Sequence, residues 1–310
     1  MPKTNMTVEF PNEVQPFSVE GANVRGRLVR LGQAYGDILG SHNYPAEVGA
    51  LMGELTAMTA ALSDSLKYDG LFILQTQSDG PVGMMVVNVS SDGAMRGYAR
   101  YDSEKISDDS DASASVPHLM GSGHIAFTVD QGPDTERYQG ITELEGATLA
   151  ECAQSYFRQS EQLETAILLV ADPESQRAAA LMIQKMPEAG EGAEKRLNLT
   201  PDENDESWRN AVILMSSMTK DELLDPGITS WDLLYRLYHE QGVRLYDNKF
   251  LTFQCRCSAE KVSATLVSFP PEELVDMKTD DGTIVATCEF CRTEYSFDDA
   301  ALDAIRKSST

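Results

Sequence analysis

Apolar side chains in the first third of the chain recur first with the period of a helix and then with that of strands. From Val48 onward they are spaced three and four residues apart, which predicts one amphipathic helix ending near Gly70. Turn-forming clusters at 78–81 and 91–93 then separate three short apolar stretches, which predicts a meander. The three strands are predicted at 71–76, 84–89 and 95–101.

A second block repeats the order of helix and hairpin. A helix around 149–163 leads into apolar stretches at 166–171 and 179–185, which predict two further strands. We therefore expect residues 1–185 to form one α+β domain, with two related halves that share sheets. Between the halves, the acidic and serine-rich residues 107–115 are interpreted as a solvated connector.

The composition changes beyond the second block. Residues 187–205 are rich in Glu, Gly, Asp and Pro, and short amphipathic helices follow, with a capping box predicted at Thr219 and Glu222 and a further cap at Ser230. This region, 186–248, has too few apolar positions for a core of its own, so we expect a helical linker that packs on another surface. Its apolar helix positions include Trp208, Val212, Met215, Trp231, Leu234 and Leu237.

Two close pairs of cysteines near the C-terminus are the strongest chemical signal. One residue separates Cys255 from Cys257, and about thirty residues later two residues separate Cys288 from Cys291. Two short pairs of this kind can supply the four thiolates of a tetrahedral zinc site. If the first pair were oxidised, it would close a very small ring, whose strain favours a reversible switch over a permanent bridge.

The small size of the segment around these cysteines makes its fold dependent on the metal. We predict a zinc-binding domain over 249–310, and a core of this size contributes only about 3–5 kcal/mol. Structural zinc contributes about 10–16 kcal/mol. Loss of the ion is therefore expected to unfold the domain, and oxidation would cause that loss because a disulfide sulfur carries no thiolate charge.

Two other functions for the cysteines stay open at this point. A constitutive zinc adaptor would use the same four ligands without any switch. A thiol–disulfide oxidoreductase is less favoured, because Cys288 and Cys291 lie between two predicted strands and not at the start of a helix. The fifth cysteine, Cys152, lies on a predicted amphipathic helix and is expected to be an inert core thiol.

Charge and composition exclude several classes of protein. The formal net charge of −24 disfavours a nucleic-acid-binding zinc ribbon, since such proteins bind phosphates through Lys and Arg. The N-terminus lacks a secretory signal pattern, and no apolar run is long enough to cross a membrane, so we expect a cytoplasmic protein with no membrane or nucleic-acid partner. No catalytic constellation stands out, and we predict that the protein is not an enzyme. The histidines are scattered at His42, His118, His124 and His239.

The cysteine spacing, together with shorter motifs along the chain, resembles the heat-shock protein 33 family of redox-regulated holdase chaperones. The first pair lies in Cys255-Arg256-Cys257-Ser258 and the second in Cys288-Glu289-Phe290-Cys291. The shorter motifs are Val24-Arg25-Gly26-Arg27, Arg96-Gly97-Tyr98, Tyr138-Gln139-Gly140, Gln159-Ser160-Glu161-Gln162 and Leu237-Tyr238-His239-Glu240.

The resemblance implies an N-terminal α/β core with helices packed on β-sheets, a helical linker that lies over it, and a small C-terminal domain that holds one Zn²⁺ on four reduced cysteines. It also implies that oxidation forms one disulfide within each pair, Cys255 with Cys257 and Cys288 with Cys291, and ejects the zinc. The linker then loosens, the protein dimerises, and exposed apolar surface binds unfolding client proteins without ATP. We hypothesise that the six apolar linker positions named above are buried in the reduced state and become exposed on oxidation.

Overall fold

The computed structural model describes residues 9–106, 115–132, 135–187 and 200–302. The chain divides into two compact units, Met1–Phe253 and Gln254–Thr310, and each is described by itself. The mixture of helices and mainly antiparallel sheets confirms the predicted α+β class. The predicted acidic connector, except for its last residue, and most of the Glu- and Gly-rich stretch of the linker lie outside the described residues.

The first unit contains groups of strands separated by helices. In chain order they are β1 Asn12–Val19, β2 Val24–Leu31, α1 Gln33–Gly40, α2 Ala46–Ser65, β3 Leu71–Ser78, β4 Val82–Ser90, β5 Ala94–Tyr101, α3 Val116–Leu119, β6 Gly123–Asp130, β7 Tyr138–Glu143, α4 Leu149–Tyr156, a π-helical turn Phe157–Glu161, β8 Thr165–Asp172, β9 Arg177–Lys185, α5 Pro201–Ser216, α6 Lys220–Leu224, α7 Ser230–Tyr238, β10 Val243–Leu245, β11 Lys249–Phe250 and β12 Thr252–Phe253.

The strands of the first unit form two sheets. Sheet one has the order β10-β1-β2-β9-β8, with β11 also paired to β1, and sheet two has the order β12-β5-β4-β3-β6-β7. The predicted meander is β3 to β5 in sheet two, whereas the second predicted hairpin, β8 and β9, belongs to sheet one. The sequence analysis did not predict β1, β2, β6 or β7.

Helix α2 packs against strands of both sheets. Most of its residues are buried, so the amphipathic character expected from its apolar spacing is wrong, although the helix itself is confirmed. Small residues let the sheets approach it closely. A Cβ added at Gly53 would come 2.6 Å from the Cβ of Ala171 and 2.7 Å from the ring of Tyr35. A helix enclosed on all sides is apolar all round, which is the pattern found here.

Helices α5, α6 and α7 form a second core with the other face of sheet one. Leu28 and Leu181 of the sheet belong to the same buried cluster as Met215 of α5, Leu223 of α6 and Leu234 of α7. Period-two alternation along β2 explains how one strand serves both cores, since successive side chains point to opposite faces. The expectation that these helices pack on another surface therefore holds for this face of sheet one.

Side-chain caps define where these helices begin. Thr219 and Glu222 form the predicted capping box of α6. The cap of α7 is Thr229, which forms a box with Asp232, so the cap predicted at Ser230 is wrong by one residue. The hydroxyl of Ser230 instead donates to Glu13 Oε1 at 2.8 Å, which ties the start of α7 to β1.

The second unit is small and has its own core. Its elements are α8 Ala259–Val267, α9 Pro271–Asp276, β13 Ile284–Thr287 and β14 Glu294–Phe297. Strands β13 and β14 form an antiparallel hairpin, and the side chain of Ser258 caps α8. Within the described part of this unit, the buried cluster consists of Leu266, Leu274, Ile284, Phe297 and Leu302. In neither unit does a described helix have both the length and the apolar composition needed to span a membrane.

Candidate metal centre

The four paired cysteines of the second unit meet at one point. The sulfur atoms of Cys255, Cys257, Cys288 and Cys291 all lie within 4.8 Å of one another. Cys255 Sγ is 3.7 Å from Cys288 Sγ, and Cys257 Sγ is 3.4 Å from Cys291 Sγ. A tetrahedral zinc ion with Zn–S bonds of about 2.3 Å requires sulfurs about 3.8 Å apart, so this donor set fits the ion.

Two turns bring the pairs together. Cys288 follows β13, its N–H donates to the Thr293 carbonyl at 2.9 Å, and the Arg292 N–H donates back to the Cys288 carbonyl at 2.9 Å. Arg292 has the left-handed φ of 56°, which closes this knuckle before β14 begins. The first pair lies directly before α8, where the ammonium of Lys261 donates to the Arg256 carbonyl at 2.7 Å.

Two hydroxyl groups from the second turn reach the sulfurs. The phenol of Tyr295 donates to Cys257 Sγ at 3.1 Å, and Cys291 Sγ lies 3.2 Å from Thr293 Oγ1. Sequence analysis missed these roles. The signal was present, because Thr293 and Tyr295 are two residues apart around the start of a strand, and such residues share one face.

The thiol groups influence one another's protonation. Burial, together with hydrogen bonding to neighbouring thiols, raises the pKa of Cys257 to about 12 despite the Tyr295 hydroxyl, and burial also raises the pKa of Cys288. Burial acts in the same direction on Cys291, but its hydrogen bonds with Thr293 and Cys257 outweigh burial and lower the pKa to about 6. Four adjacent thiolates repel one another, so a bound cation is what allows all of them to ionise.

The fifth cysteine is separate in position and in chemistry. Cys152 lies on α4 in the first unit and is fully buried, as expected for a core thiol. Burial raises its pKa to about 11, so little of it is thiolate at neutral pH. Across the described ranges, the metal-compatible cluster is made of cysteines alone, and none of the four histidines belongs to it.

The sequence comparisons agree with this geometry. The family model described as Hsp33 protein matches residues 12–298 of the chain. The chain belongs to the Hsp33 family. Of the relatives in this family, the 33 kDa chaperonin of Caulobacter vibrioides strain NA1000 / CB15N is 40% identical over 293 residues, covering 92% of this chain and 94% of the relative. The 33 kDa chaperonin of Ectopseudomonas mendocina is 39% identical over 287 residues, covering 92% of each chain.

The fold is also that of a solved Hsp33 homologue. The crystal structure of the 33 kDa chaperonin from Thermotoga maritima superposes with a TM-score of 0.78 and covers 96% of this chain and 99% of its own. Its sequence identity is 19%, so this likeness concerns the fold alone. The names of the relatives indicate a chaperone family.

The linker positions singled out in this Hsp33-family chain do not share one environment. Met215 of α5 is 4% exposed, and Leu234 and Leu237 of α7 are also buried against sheet one. Trp208 and Val212 are partly buried at the edge of the same cluster. These five residues belong to or pack against one buried cluster on sheet one.

Trp231 is the exception, because it is 46% exposed and the burial expected of it is wrong. The helical phase of α7 explains the difference. Its buried face is formed by residues three and four apart, including Leu234, Leu237 and Tyr238, whereas Trp231 lies in the first turn at the border of that face, where its ring packs against Tyr235 with centroids 5.5 Å apart. Trp231 is therefore already at the surface in this structure.

Proposed function

We propose that this protein is a redox-regulated, ATP-independent holdase that binds unfolding proteins during oxidative stress in the cytoplasm. In the reduced state, one Zn²⁺ is bound by Cys255, Cys257, Cys288 and Cys291. The observation that carries the proposal is the meeting of four thiols within 4.8 Å in a unit whose buried cluster is so small. Such a unit depends on its metal for stability, so any reaction that consumes the thiolates also unfolds it.

Activation is an oxidation of thiols by peroxide. Each disulfide forms when two cysteines give up two electrons and two protons to one hydrogen peroxide, which leaves as two waters. Two peroxides therefore convert the four thiols into two disulfides, Cys255 with Cys257 and Cys288 with Cys291, and the site can no longer hold the metal. The pairing within each short pair follows the family resemblance.

The response to this change is proposed to lie in the linker helices α5 to α7. Their buried residues, such as Met215 and Leu234, pack on sheet one and have no core of their own. Once the unit that follows them in the chain has unfolded, these helices loosen and expose apolar surface on both the linker and the sheet. Client proteins bind there, and the oxidised protein forms a homodimer. A marginal element of this kind acts as a switch because it is stable only while docked.

Zinc release and chaperone activity, followed in the same sample, test the proposal. Full-length reduced protein is treated with peroxide under mild heating, free zinc is read with a chelating dye, and aggregation of a heat-denatured client is read by light scattering. We expect zinc release to accompany suppression of aggregation. A Cys152→Ala variant serves as the control, because it retains all four clustered thiols and should respond in the same way.

The two alternative functions give different results in this experiment. A constitutive zinc adaptor would retain its zinc under peroxide and leave aggregation unchanged. A thiol–disulfide oxidoreductase would turn over a disulfide substrate and have little effect on aggregation. Zinc retention without suppression would contradict the proposed holdase.

A further inference from the structure

An apolar cavity opens in the first unit, where the last turn of α2 ends between the two sheets. It has a volume of about 570 Å³ and is lined by Leu62 of α2 and Leu66 just beyond it, by strands of both sheets and by the π-helical turn. Sites for small molecules typically enclose about 300–1,000 Å³ and combine an apolar lining with a few polar groups. The cavity therefore has the size and the composition of a ligand site.

The floor of the cavity is a packed aromatic cluster. The rings of Phe127 and Tyr156 stack with centroids 4.2 Å apart, and Phe157 meets both of them edge-on. Phe72 of β3 completes the floor, and all four side chains are less than 10% exposed. Aromatic rings held in this way form a rigid apolar surface for a flexible chain or a ring.

The side wall is held in place by an unusual piece of backbone. The π-helical turn Phe157–Glu161 ends at Gln162, whose φ of 52° is left-handed. Glu161 Oε1 accepts hydrogen bonds from the hydroxyls of Tyr138 at 3.1 Å and Tyr156 at 2.8 Å, so one carboxylate oxygen joins the turn to strand β7. Turns of this kind are rare and are often found at functional sites.

The mouth of the cavity is positively charged, although the chain as a whole carries a net charge of −24. Arg25 and Arg27 of β2 line the cavity, with Glu161 as its acidic residue, and they also line an adjoining cleft of about 990 Å³ that contains Lys67, Arg244 and Glu20, so basic residues outnumber acidic ones in both linings. Along the whole sequence, acidic side chains outnumber basic ones almost two to one. Basic side chains are nevertheless concentrated at this opening.

The two arginines at the mouth differ in their partners. Arg27 is paired with Asp64 at 3.0 Å. Within the described part of the chain, the guanidinium of Arg25 has neither an ion pair nor a hydrogen bond. Burial lowers the pKa of Arg27, Asp64 opposes this, and the charge of Arg25 lowers it further, as expected for repulsion between two guanidinium groups on the same face of β2. An anion placed between them would relieve that repulsion.

We infer that this cavity binds a small amphipathic anion with a single apolar chain, of the fatty-acid type. Its carboxylate is held by Arg25 beside Arg27, and its chain lies over the aromatic floor formed by Phe72, Phe127 and Tyr156. Charge complementarity selects an anionic head over a cationic or neutral one, because the guanidinium of Arg25 would repel an ammonium, whereas the charge of Arg27 is offset by Asp64. This site is independent of the cysteine cluster.

Calorimetric titration of the full-length reduced protein with laurate, kept below its micelle-forming concentration, tests the inference. We expect saturable binding of one laurate per chain and at least about tenfold weaker binding of dodecylamine, which has the same chain and the opposite charge. Binding that does not saturate, or equal affinity for the two compounds, would overturn the inference.

Substitutions at the mouth test the role of the charge. Arg25→Gln is expected to weaken laurate binding about tenfold, because it removes a charge-assisted hydrogen bond, whereas Arg25→Lys should retain most of the affinity. Arg100→Gln is the matched control, since it removes the same charge from an exposed position on β5 outside the cavity. If Arg25→Gln bound laurate as well as Arg100→Gln did, the arginine would have no role in binding.

Filling the cavity tests the position of the apolar chain. Val129→Trp places a large ring in the lining and should abolish binding, while Ile141→Trp on the exposed face of β7 should not change it. Thermal unfolding of each variant checks that it is folded. Should Val129→Trp fail to fold, a photoreactive fatty acid on the natural sequence replaces it, with labelling expected on residues 156–163. Labelling elsewhere would refute the site.

Discussion

Arg30, on strand β2, donates a hydrogen bond of 2.6 Å from Nη1 to the carbonyl oxygen of Ile228, in the loop between α6 and α7. Its Nη2 donates to the carbonyl of Asp225 in the same loop. The side chain is 1% exposed, and its guanidinium lies 4.3 Å from the ring centroid of Phe10. Arg177 adds a bond of 3.2 Å to the carbonyl of Leu224. Arginines of sheet one therefore hold the linker through hydrogen bonds to its backbone carbonyls, in addition to the apolar contacts.

Replacing Arg30 should loosen the linker without any oxidation. Hydrogen bonds from a charged group contribute about 1.5–3 kcal/mol each, and we expect Arg30→Met to lower the free energy of unfolding of the first unit by about 2–3 kcal/mol. Urea unfolding followed by tryptophan fluorescence measures the change. Arg209→Met, at an exposed position of α5, is the control and should shift the midpoint little. Equal stability of the two variants would show that Arg30 does not hold the linker.

Removal of the metal should unfold the second unit and spare the first. Zinc binding contributes about 10–16 kcal/mol, whereas a small core contributes only about 3–5 kcal/mol. The second unit should therefore be unfolded without its ion. Limited proteolysis after treatment with a strong chelator should release a resistant fragment ending near Phe253. The Cys152→Ala variant should give the same fragment, whereas a protease-resistant second unit in the chelated protein would count against metal-dependent folding.

Peptide mapping after peroxide treatment should find the disulfides Cys255–Cys257 and Cys288–Cys291. The sulfur of Cys255 lies 3.7 Å from that of Cys288, and the sulfur of Cys257 lies 3.4 Å from that of Cys291. The crossed disulfides Cys255–Cys288 and Cys257–Cys291 could therefore also form, and the test distinguishes them. Mass spectrometry of the digested protein distinguishes the two patterns. Cys152 should remain a free thiol, since it is fully buried. If the crossed pairs were found instead, the proposed pairing would be wrong.

The two tryptophans should respond differently to oxidation. Trp208 is partly buried against the cluster on sheet one, and Trp231 is 46% exposed. We therefore expect the red shift of tryptophan emission on oxidation to persist in Trp231→Phe and to disappear in Trp208→Phe. Emission spectra before and after peroxide with mild heating provide the measurement. A shift carried mainly by Trp231 would place the structural change at the exposed border of the α7 face.

Glu54 should make the first unit less stable as the pH rises. Burial raises its pKa to about 7, and the charge of Lys220 opposes the shift. Between its ordinary pKa near 4.5 and about 7, the folded state holds a proton that the unfolded state has lost, so stability falls as the pH rises through this range. The half-buried carboxylate keeps some water, and we expect a loss of about 2 kcal/mol.

The Glu54→Gln variant isolates this contribution from that of other titrating groups. It should match the natural protein near pH 5 and exceed its stability at pH 8, because the amide side chain of the variant cannot ionise. Urea midpoints at the two pH values give the comparison. A constant difference between the two proteins across this range would mean that Glu54 does not titrate in it.

Local spacing explains what could be predicted from the sequence. The four cysteines were recognised because each pair is held by its own turn, and the capping box at Thr219 and Glu222 lies within one helical turn. Strand β2 was missed because Gly26 and alternating arginines break its apolar run. Arg27 and Arg30 point to opposite faces of sheet one, and only the tertiary structure supplies partners for both.

Helical phase explains the errors at the linker. Trp231 continues the spacing of three and four that joins Leu234 to Tyr238, so the sequence could not place it at the exposed border of the α7 face before the position of sheet one was known. The same limit applies to α2, where burial on all sides replaced the expected single apolar face. The contact of Tyr295 with Cys257 joins segments 38 residues apart, which no local spacing could predict.

The pairing of β1 determines the order in which a growing chain can complete its first unit. β1 pairs with β2 nearby, but also with β10 at Val243–Leu245, while β2 pairs with β9 at Arg177–Lys185. A two-stranded hairpin is marginal by itself. During synthesis on the ribosome, the partners of β1 and β2 are therefore made much later, and until then the open edges of this hairpin can pair with other chains.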